Sequence, residues 1–578
     1  MHTNAGMYVA AIADGDDELA YLTARLPNPF ASVCGRVCAA PCEDACRRGA
    51  IDRPIAIRAL KRFVTEQFGT EAGADGEYGR VSSPPPVDRP ESVGIVGGGP
   101  AGLAAAHDLR LHGYRVTLYE ATDRLGGMML YGIPEYRLDR DLLQGDIDAI
   151  LDLGVEVRYG TRLGADVTLA DLRERHDAVF LAPGASLGRG LDIPGHDADG
   201  VFRALEFLIN TNQGFTVEVG EKVVVIGGGN VAMDAARTAL RAAAYEEAAD
   251  FEADEHRGAM TEAFDVARTA KRAGATDVTV VALESRDEMP ADDFEIEEAE
   301  IEGIGFLHRR GPSAIAVAGG RVTGLDTIGV LSVVDEDGRF SPQFDQDDRQ
   351  RIEADTVILA IGQSVDTAGL DGIEISPRGT IATDPATMAA SADGVFSGGD
   401  AAFGPRTLIV AIAEGRQAAA SIHTRFTGEV PERQPGTMVA LEQFHRLDDV
   451  YDRMDRLEIP SLPSERRIGL QEVELGFTPD QARCEAKRCL RCFANILLDV
   501  DSCVLCALCS DVCPLDLIAL VPAAEVGAGE GTALTLDESA CIRCALCIER
   551  CPTGALSMGV WSGVGVPAPE VLQVGVKG

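Results

Sequence analysis

Residues 93–109 read VGIVGGGPAGLAAAHDL, and this stretch decides the fold of the middle of the chain. A short apolar run predicts a strand, a glycine-rich G-x-G-x-x-G turn follows, and an alanine-rich segment predicts a helix. Glycine permits the tight turn and lets backbone N–H groups at the helix N-terminus approach a pyrophosphate. The next predicted strand, residues 114–119, ends at Glu120, where a carboxylate can accept a hydrogen bond from a ribose hydroxyl. The candidate dinucleotide-binding residues of the turn are Gly97, Gly99, Pro100, Ala101 and Gly102.

Residues 222–240, KVVVIGGGNVAMDAARTAL, repeat this pattern as G-x-G-x-x-A. The next strand is delayed by an acidic, helix-like stretch at about 242–272 and is predicted at 278–283, ending before Glu284. A lone Glu284 could be an ordinary solvated carboxylate, but its position at a strand end favours ribose binding. The candidate residues of this second turn are Gly227, Gly229, Asn230, Val231 and Ala232.

The C-terminal region contains the pattern C-x2-C-x2-C-x3-C-P twice. Structural zinc sites usually take two separated cysteine pairs, so this spacing matches zinc poorly. It matches the two-cluster iron–sulfur pattern, in which three cysteines of one motif and the last cysteine of the other hold each cluster. The segment resembles bacterial ferredoxins with two four-iron four-sulfur clusters. The expected ligands are Cys503, Cys506, Cys509 and Cys551 for one cluster, and Cys541, Cys544, Cys547 and Cys513 for the other.

The composition excludes several classes of function. Acidic residues outnumber basic ones 92 to 52, for a formal net charge of −40. Such a surface repels nucleic acid and anionic lipid headgroups, so neither is an expected partner. No apolar run is long enough to span a membrane, and the first residues do not resemble a secretory signal. A cytoplasmic location is therefore expected.

Two further segments carry a family resemblance. Residues 125–138 read LGGMMLYGIPEYRL, and residues 397–400 read SGGD. With the two glycine turns, they make residues 1–430 resemble the small subunit of bacterial glutamate synthase. The same region is similar to the flavoprotein part of dihydropyrimidine dehydrogenase and to NADH-dependent ferredoxin:NADP oxidoreductase. The resemblance implies FAD at the first turn and NAD(P)H at the second. Its further candidate cofactor-binding residues are Gly126, Gly127, Arg137, Gly362, Gly399 and Asp400.

The choice between NADH and NADPH is expected to depend on Glu284. Members of the resembled family that use NADPH carry an arginine pair just after this strand, where guanidinium groups can bind a 2′-phosphate. Here the chain has Glu284 and one arginine, Arg286. A carboxylate accepts a bond from a 2′-hydroxyl and repels a 2′-phosphate, so NADH is favoured while Arg286 and Ala232 leave NADPH open.

The N-terminal cysteines lie in CGRVCAAPCEDACRRG, residues 34–49. The resembled family holds iron–sulfur clusters in this region, with further cysteines upstream of the position where this chain begins. Either the start is annotated short, or the site is rebuilt with Cys484, Cys489 and Cys492. At least one cluster is expected here. Seven thiols are too few for two four-cysteine sites, so a second cluster would need a non-cysteine ligand or fewer irons. The alternative is that some of the seven thiols are free or structural. The predicted ligands are Cys34, Cys38, Cys42, Cys46, Cys489 and Cys492, with Cys34 and Cys484 the weakest candidates.

The expected fold class is α/β, with two Rossmann-like three-layer nucleotide-binding domains of the disulfide-reductase-like flavoprotein type. An N-terminal helical iron–sulfur domain and a C-terminal α+β ferredoxin-like domain flank them. A capped helix is predicted near 478–490, from Thr478, Pro479 and Gln481. The expected domains are 1–70 (helical iron–sulfur), 71–91 (linker), 92–210 with 350–430 (FAD), 211–349 (NAD(P)H), 431–495 (connecting segment), 496–562 (two-cluster ferredoxin-like) and 563–578 (tail).

These sites predict an NAD(P)H:acceptor oxidoreductase that passes a hydride from NAD(P)H to FAD and then single electrons through iron–sulfur clusters. The acceptor is ferredoxin or a partner protein, and an oligomer is possible. One alternative is an electron-input subunit of a larger reductase or a membrane quinone-linked complex. Another is a non-catalytic redox sensor or scaffold that keeps the folds. No catalytic acid, base or nucleophile is assigned, because the cofactors carry the chemistry.

Overall fold

The computed structural model describes residues 3–72, 89–215, 217–248, 275–431, 438–441, 451–467, 469–561 and 575–577. The chain forms two compact units. Unit 1 contains Met1–Ser83, Glu429–Pro460 and Gly476–Gly578; unit 2 contains Pro84–Gly428 and Ser461–Leu475. Most of the predicted linker at 71–91, of the acidic stretch at 242–272 and of the tail at 563–578 lies outside the described residues.

Unit 2 contains two five-stranded parallel sheets, as the two βαβ patterns predict. Each glycine turn follows the central strand of its sheet, at the carboxyl end where open α/β sheets bind ligands. In spatial order the first sheet is Val395–Ser397, Ala178–Leu181, Ser92–Val96, Arg115–Tyr119 and Glu156–Arg158. The second sheet is Val201–Arg203, Thr356–Leu359, Lys222–Ile226, Asp277–Val281 and Gly305–Leu307.

The late segment of the chain returns to both sheets. Val395–Ser397 joins the first sheet, whereas Thr356–Leu359 and Val201–Arg203 join the second. The strands Val201–Arg203 and Thr356–Leu359 fall within the ranges 92–210 and 350–430 that the sequence suggested for the FAD domain. The chain therefore crosses between the two sheets close to the predicted domain boundaries. The two crossings pair with each other as a two-stranded ribbon, Leu187–Gly188 with Gln363–Ser364.

The helices of unit 2 cover these sheets. In the sequence, a three-stranded antiparallel sheet lies between Gly305–Leu307 and Thr356–Leu359 of the second sheet. The helices are Pro100–Leu111, Met128–Tyr131, Arg140–Leu151, Leu169–Arg175, Ala204–Asn212, Asn230–Ala248, Asp293–Ile301, Asp400–Phe403 and Leu408–Thr427. The antiparallel strands are Arg310–Ala318, Arg321–Val334 and Phe340–Ile352. Buried aliphatic side chains of the second sheet form a continuous core with the helices.

Unit 1 is helical at its N-terminal end and mixed α+β at its C-terminal end, which confirms the expected fold class. Its helices are Ala5–Asp14, Asp17–Arg25, Ala31–Val37, Pro41–Asp44, Ile57–Phe68, Pro479–Ala486, Leu508–Val512 and Leu546–Glu549. One sheet contains Met438–Ala440, Leu556–Trp561 and Asn495–Leu498; the other contains Ile518–Pro522, Thr532–Leu536 and Gly575–Lys577.

The predicted helix near 478–490 is confirmed and spans Pro479–Ala486. Thr478 accepts a bond from the backbone of Gln481, whose side chain accepts one back from Thr478, so the capping box is complete. The helix packs into the N-terminal helical core, because Ala482 and Ala486 are fully buried there. In this way a C-terminal segment becomes part of the N-terminal helical domain.

Across the described ranges, none of the helices is both long and apolar enough to cross a bilayer.

Candidate functional site

At two positions, the first glycine turn leaves no room for a side chain. Gly97 has a φ of 100°, and a Cβ there would lie 2.2 Å from the carbonyl oxygen of Ala182. A Cβ on Gly102 would lie 2.0 Å from the carbonyl oxygen of Gly97. The turn therefore brings the start of the helix Pro100–Leu111 against the strand, with helix N–H groups available to a pyrophosphate.

Glu120 is held against this turn. Its Oε2 accepts a hydrogen bond from the backbone of Gly98 at 2.8 Å, and its Oε1 accepts bonds from the backbone and hydroxyl of Thr122, each at 2.9 Å. The carboxylate is buried and fixed at the carboxyl end of the strand Arg115–Tyr119. This is the position from which a carboxylate can bind the ribose of a dinucleotide.

The segment 125–138 folds back onto the first turn. The backbone of Gly126 donates to the carbonyl of Gly98 at 2.9 Å. Gly127 has a φ of 53°, and a Cβ on it would lie 2.8 Å from the Cα of Gly99. The structure thus brings Gly126 and Gly127 together with the first glycine turn.

Arg137, another predicted cofactor residue, is placed differently. Its guanidinium pairs with Asp234 at 2.6 Å and also with Glu295. These carboxylates raise the pKa of Arg137 above its ordinary value despite its burial. Arg137 therefore joins the segment 125–138 to two helices of the second nucleotide sheet.

Gly399, which precedes Asp400, also approaches the first turn. Gly399 has a φ of 66°, and a Cβ on it would lie 3.0 Å from the Cβ of Ala101. Burial raises the pKa of Asp400 to about 6. The backbone of Gly399 donates to Glu414 at 2.8 Å, and Glu414 pairs with Arg406.

Sequence reasoning missed Glu414 and Arg406, which support this corner. Both lie in the segment that follows SGGD, but neither sits in a turn or at a strand end that would mark it. Gly362, by contrast, was predicted. It has a φ of 104° and accepts a bond from the backbone of Arg189 at 3.0 Å, in the crossing between the two sheets.

The second glycine turn repeats the geometry of the first. Gly227 has a φ of 141°, and a Cβ there would lie 2.3 Å from the carbonyl oxygen of Ala360. A Cβ on Gly228 would lie 2.8 Å from Oε2 of Glu284, just as one on Gly98 would lie 3.1 Å from Oε2 of Glu120. The two acids therefore occupy matching positions over their glycine turns.

The remaining predicted residues of this turn have structural partners. The side chain of Asn230 donates to Asp292 and accepts from its backbone, both at 2.9 Å. Ala232 is fully buried, and Val231 is partly buried against the same core. Arg286 pairs with Asp293 at 2.9 Å, so a carboxylate already opposes its charge.

The C-terminal cysteines line two cavities. Each cavity takes three cysteines from one motif and the fourth from the other. The first four-cysteine site is lined by Cys503, Cys506, Cys509 and Cys551. The second four-cysteine site is lined by Cys513, Cys541, Cys544 and Cys547.

The backbone of these motifs suits a cluster. Leu505 and Arg543, each two residues after the first cysteine of its motif, have φ values of 53° and 58°. These left-handed residues turn the chain so that the cysteines of one motif face one cavity. Four thiols in a largely apolar cavity are the donor set that a cubane iron–sulfur cluster takes.

The N-terminal cysteines form two groups. In the first, Cys34 and Cys38 are hydrogen-bonded, and this bond lowers the pKa of Cys38 to about 6. Burial raises the pKa of Cys42 to about 12, and the ammonium of Lys61 opposes that shift. Ala40 has a φ of 50° and donates its N–H to Sγ of Cys38 at 3.3 Å.

The second group combines both ends of the chain in what we call the three-cysteine site: Cys46, Cys489 and Cys492. Burial, together with the nearby thiols of Cys492 and Cys46, raises the pKa of Cys489 to about 12. Arg491 has a φ of 51° and donates its N–H to Sγ of Cys489 at 3.4 Å. The C-x2-C turn at 489–492 thus has the left-handed residue found in both ferredoxin-like motifs, and it fits a cluster with a fourth ligand to be supplied. Cys484 is exposed on the neighbouring helix.

Three regions match known protein families. Residues 91–415 match the pyridine nucleotide-disulphide oxidoreductase family. Residues 1–72 match dihydropyrimidine dehydrogenase domain II, 4Fe-4S cluster, and residues 502–555 match the 4Fe-4S dicluster domain. These matches cover the two glycine turns and both ends of unit 1.

Several curated proteins are similar along most of the chain. The beta subunit of NADP(+)-dependent formate dehydrogenase from Moorella thermoacetica is 36% identical over 522 residues, covering 85% of this chain and 69% of that one. The beta subunit of NADPH-Fe(3+) oxidoreductase from Geobacter sulfurreducens is 34% identical over 537 residues, covering 85% and 74%. The small chain of glutamate synthase [NADPH] from Azospirillum brasilense is 31% identical over 428 residues, covering 71% and 82%.

Among solved structures, FprA from Mycobacterium tuberculosis in complex with NADPH has a TM-score of 0.50 at 20% identity, covering 60% of this chain and 87% of that one. This likeness supports the fold of the two nucleotide-binding sheets.

Proposed function

The chain belongs to the pyridine nucleotide-disulphide oxidoreductase family and is an NAD(P)H-dependent flavin iron–sulfur oxidoreductase, and from this premise we propose that it is the electron-input subunit of a larger redox enzyme. When bound, FAD accepts a hydride from the nicotinamide and passes single electrons on to iron–sulfur clusters. The chain's residues hold, orient and shield these groups.

In this proposal the first glycine turn holds FAD. Helix N–H groups after Gly97 bind the pyrophosphate, and Glu120 accepts bonds from the ribose. Gly126, Gly127 and Gly399 let backbone approach the flavin, because a Cβ at any of these positions would strain the turn. By the family resemblance, Asp400 lies near the ribityl–phosphate part of FAD.

The second turn holds the pyridine nucleotide, and we propose that NADH is preferred. The supporting observation is that Glu284 lies over Gly228 as Glu120 lies over Gly98. The ribose beside Glu120 in FAD carries no 2′-phosphate, and a carboxylate in the same position at the second turn repels one. The single arginine of this strand end, Arg286, is paired with Asp293.

The two four-cysteine sites and the three-cysteine site hold the iron–sulfur clusters. We propose four-iron four-sulfur clusters at both four-cysteine sites and at the three-cysteine site, where a further ligand completes the set. Cys34, Cys38 and Cys42 are candidate ligands of another cluster, and Lys61 beside them brings a positive charge to that group.

The observation that carries the subunit proposal is that one chain combines a flavin domain with several cysteine sites that can receive its electrons. Two curated relatives whose similarity covers 85% of the chain are beta subunits, one of a formate dehydrogenase and one of an NADPH-Fe(3+) oxidoreductase. Ferredoxin as a free acceptor is the second candidate, because the chain carries its own dicluster domain. Clusters need reduced thiols, so we propose the cytoplasm as the compartment.

The test is affinity purification of the tagged chain from its native cells without oxygen, followed by NADH- and NADPH-driven dye reduction. A stoichiometric redox partner, and reduction of that partner's substrate only by the complex, are expected. Fast reduction of ferredoxin by the chain alone, with no partner recovered, would favour the second candidate.

A further inference from the structure

Two arginines join the three-cysteine site to the second four-cysteine site within unit 1. Arg47 directly follows Cys46, and its Nη1 donates to the carbonyl of Cys492 at 3.3 Å and to that of Cys541 at 3.2 Å. Its Nε donates to the carbonyl of Ser539 at 3.1 Å. One nitrogen therefore links a cysteine of each site.

Arg543 makes the link from the other side. It lies in the turn between Cys541 and Cys544, and its Nε donates to the carbonyl of Ala494 at 2.5 Å. Its side chain is buried, and its Nη2 pairs with Glu538 at 3.4 Å. Its Nη1 has no hydrogen-bond partner within the described part of the chain, so a donor is available beside the three-cysteine site.

The first four-cysteine site has a different environment. Its Cys506 is exposed, and the neighbouring Val504 is 61% exposed. The cysteines of the second site are partly buried. The first site therefore has the one cysteine of the eight that is exposed, while the second site is joined to the three-cysteine site.

We propose that Arg47 and Arg543 set the direction of electron flow through the dicluster domain. One electron at a time enters at the second four-cysteine site from the three-cysteine site, and it leaves at the first four-cysteine site beside Val504. No bond forms or breaks in these transfers. The two guanidinium groups hold the loops together, and their positive charge favours the reduced state of the adjoining sites. This inference rests on the proposed electron-input function.

The test compares two ligand variants, Cys544→Ala for the second site and Cys506→Ala for the first. Each holoprotein is mixed with NADH without oxygen, freeze-quenched and read by electron paramagnetic resonance. In Cys506→Ala the signal of the second site should still develop. In Cys544→Ala the signal of the first site should be lost with NADH and recovered with dithionite. Its development with NADH at the unmodified rate would overturn the proposal.

Arg47→Gln tests the link with all cysteines retained, in case a ligand variant fails to assemble. Reduction of both four-cysteine sites by NADH should slow several-fold, and the reduction potential of the second site should fall, while that of the first site stays level and flavin reduction keeps its rate. Arg53→Gln is the matched control, because Arg53 pairs with Glu458 on the exposed surface of the same unit. Unchanged rates in Arg47→Gln would refute the role of Arg47. Absence of flavin bleaching in every variant, the unmodified chain included, would instead refute the proposed function.

Discussion

Glu120 and Glu284 show how much one residue can decide. Each follows the second strand of its βαβ unit, and each places Oε2 over the middle glycine of its turn. The curated relatives named above carry NADP(H) in their names. The carboxylate of Glu284 is therefore the residue on which the proposed preference for NADH depends.

We predict that Glu284→Ala lowers kcat/KM for NADH about tenfold or more, because a hydrogen bond to a charged group contributes about 1.5–3 kcal/mol. The value for NADPH should stay level or rise, since the repelling charge is gone. Steady-state dye reduction with each nucleotide measures both.

The control for this prediction is Asp287→Ala, which removes the same charge from an exposed position in the same segment. It should leave the ratio of the two kcat/KM values unchanged. A clear NADPH preference in the unmodified protein would contradict the interpretation of Glu284.

At the scale of elements, a buried ionic network joins the helix Asn230–Ala248 to the helix Asp293–Ile301. Arg237 pairs with Glu295 at 3.0 Å and with Glu302 at 2.8 Å, and Arg241 also pairs with Glu302. Arg467 pairs with Glu298 and adds the segment Ser461–Leu475 to the network. Since Asn230–Ala248 begins at the second glycine turn, the network sets the position of the nucleotide site.

Glu302 provides a test of the network. Burial alone would raise the pKa of Glu302, but hydrogen bonds from Arg241 and Arg237 lower it to about 2. Glu302→Gln should therefore destabilise unit 2 by about 3–5 kcal/mol at neutral pH, because the buried Arg241 loses its counter-charge and Arg237 loses one of its carboxylate partners. Urea unfolding of the flavin-loaded protein, followed by flavin fluorescence, measures the difference.

The pH dependence of that difference follows from the lowered pKa. The stabilisation is complete above the ordinary pKa of 4.5 and is lost as the pH falls towards 2. Glu353→Gln is the control, because Glu353 pairs with Lys222 on the surface and should contribute little. Equal stability losses for both variants would argue against the network.

At the scale of the whole molecule, cysteines from both ends of the chain form one site. We predict at least about twelve irons and as many acid-labile sulfides per FAD, since we propose a four-iron cluster at each of three sites. Colorimetric iron and sulfide analysis of protein purified without oxygen measures this.

Two variants check the assignment of that site. Cys489→Ala should lower the count to about eight irons, because only the dicluster sites keep their ligands. Cys484→Ala should leave it unchanged, since Cys484 is exposed on the adjacent helix. About eight irons in the unmodified chain would show that the three-cysteine site holds no cluster. About sixteen would indicate a further cluster at Cys34, Cys38 and Cys42.

The sequence by itself determined the parts of this protein that depend on local spacing. The glycine turns, the acids at the strand ends, the paired cysteine motifs and the cap at Thr478 each lie within a short stretch, where backbone sterics and ligand geometry restrict the residue types. Only the tertiary structure decided which distant segments meet. Such contacts leave no periodic signal in the sequence, because each depends on packing between elements far apart in the chain. They include the joining of Cys46 to Cys489 and Cys492, the bridge made by Arg47, the pairing of Arg137 with Asp234 and the support of Gly399 by Glu414.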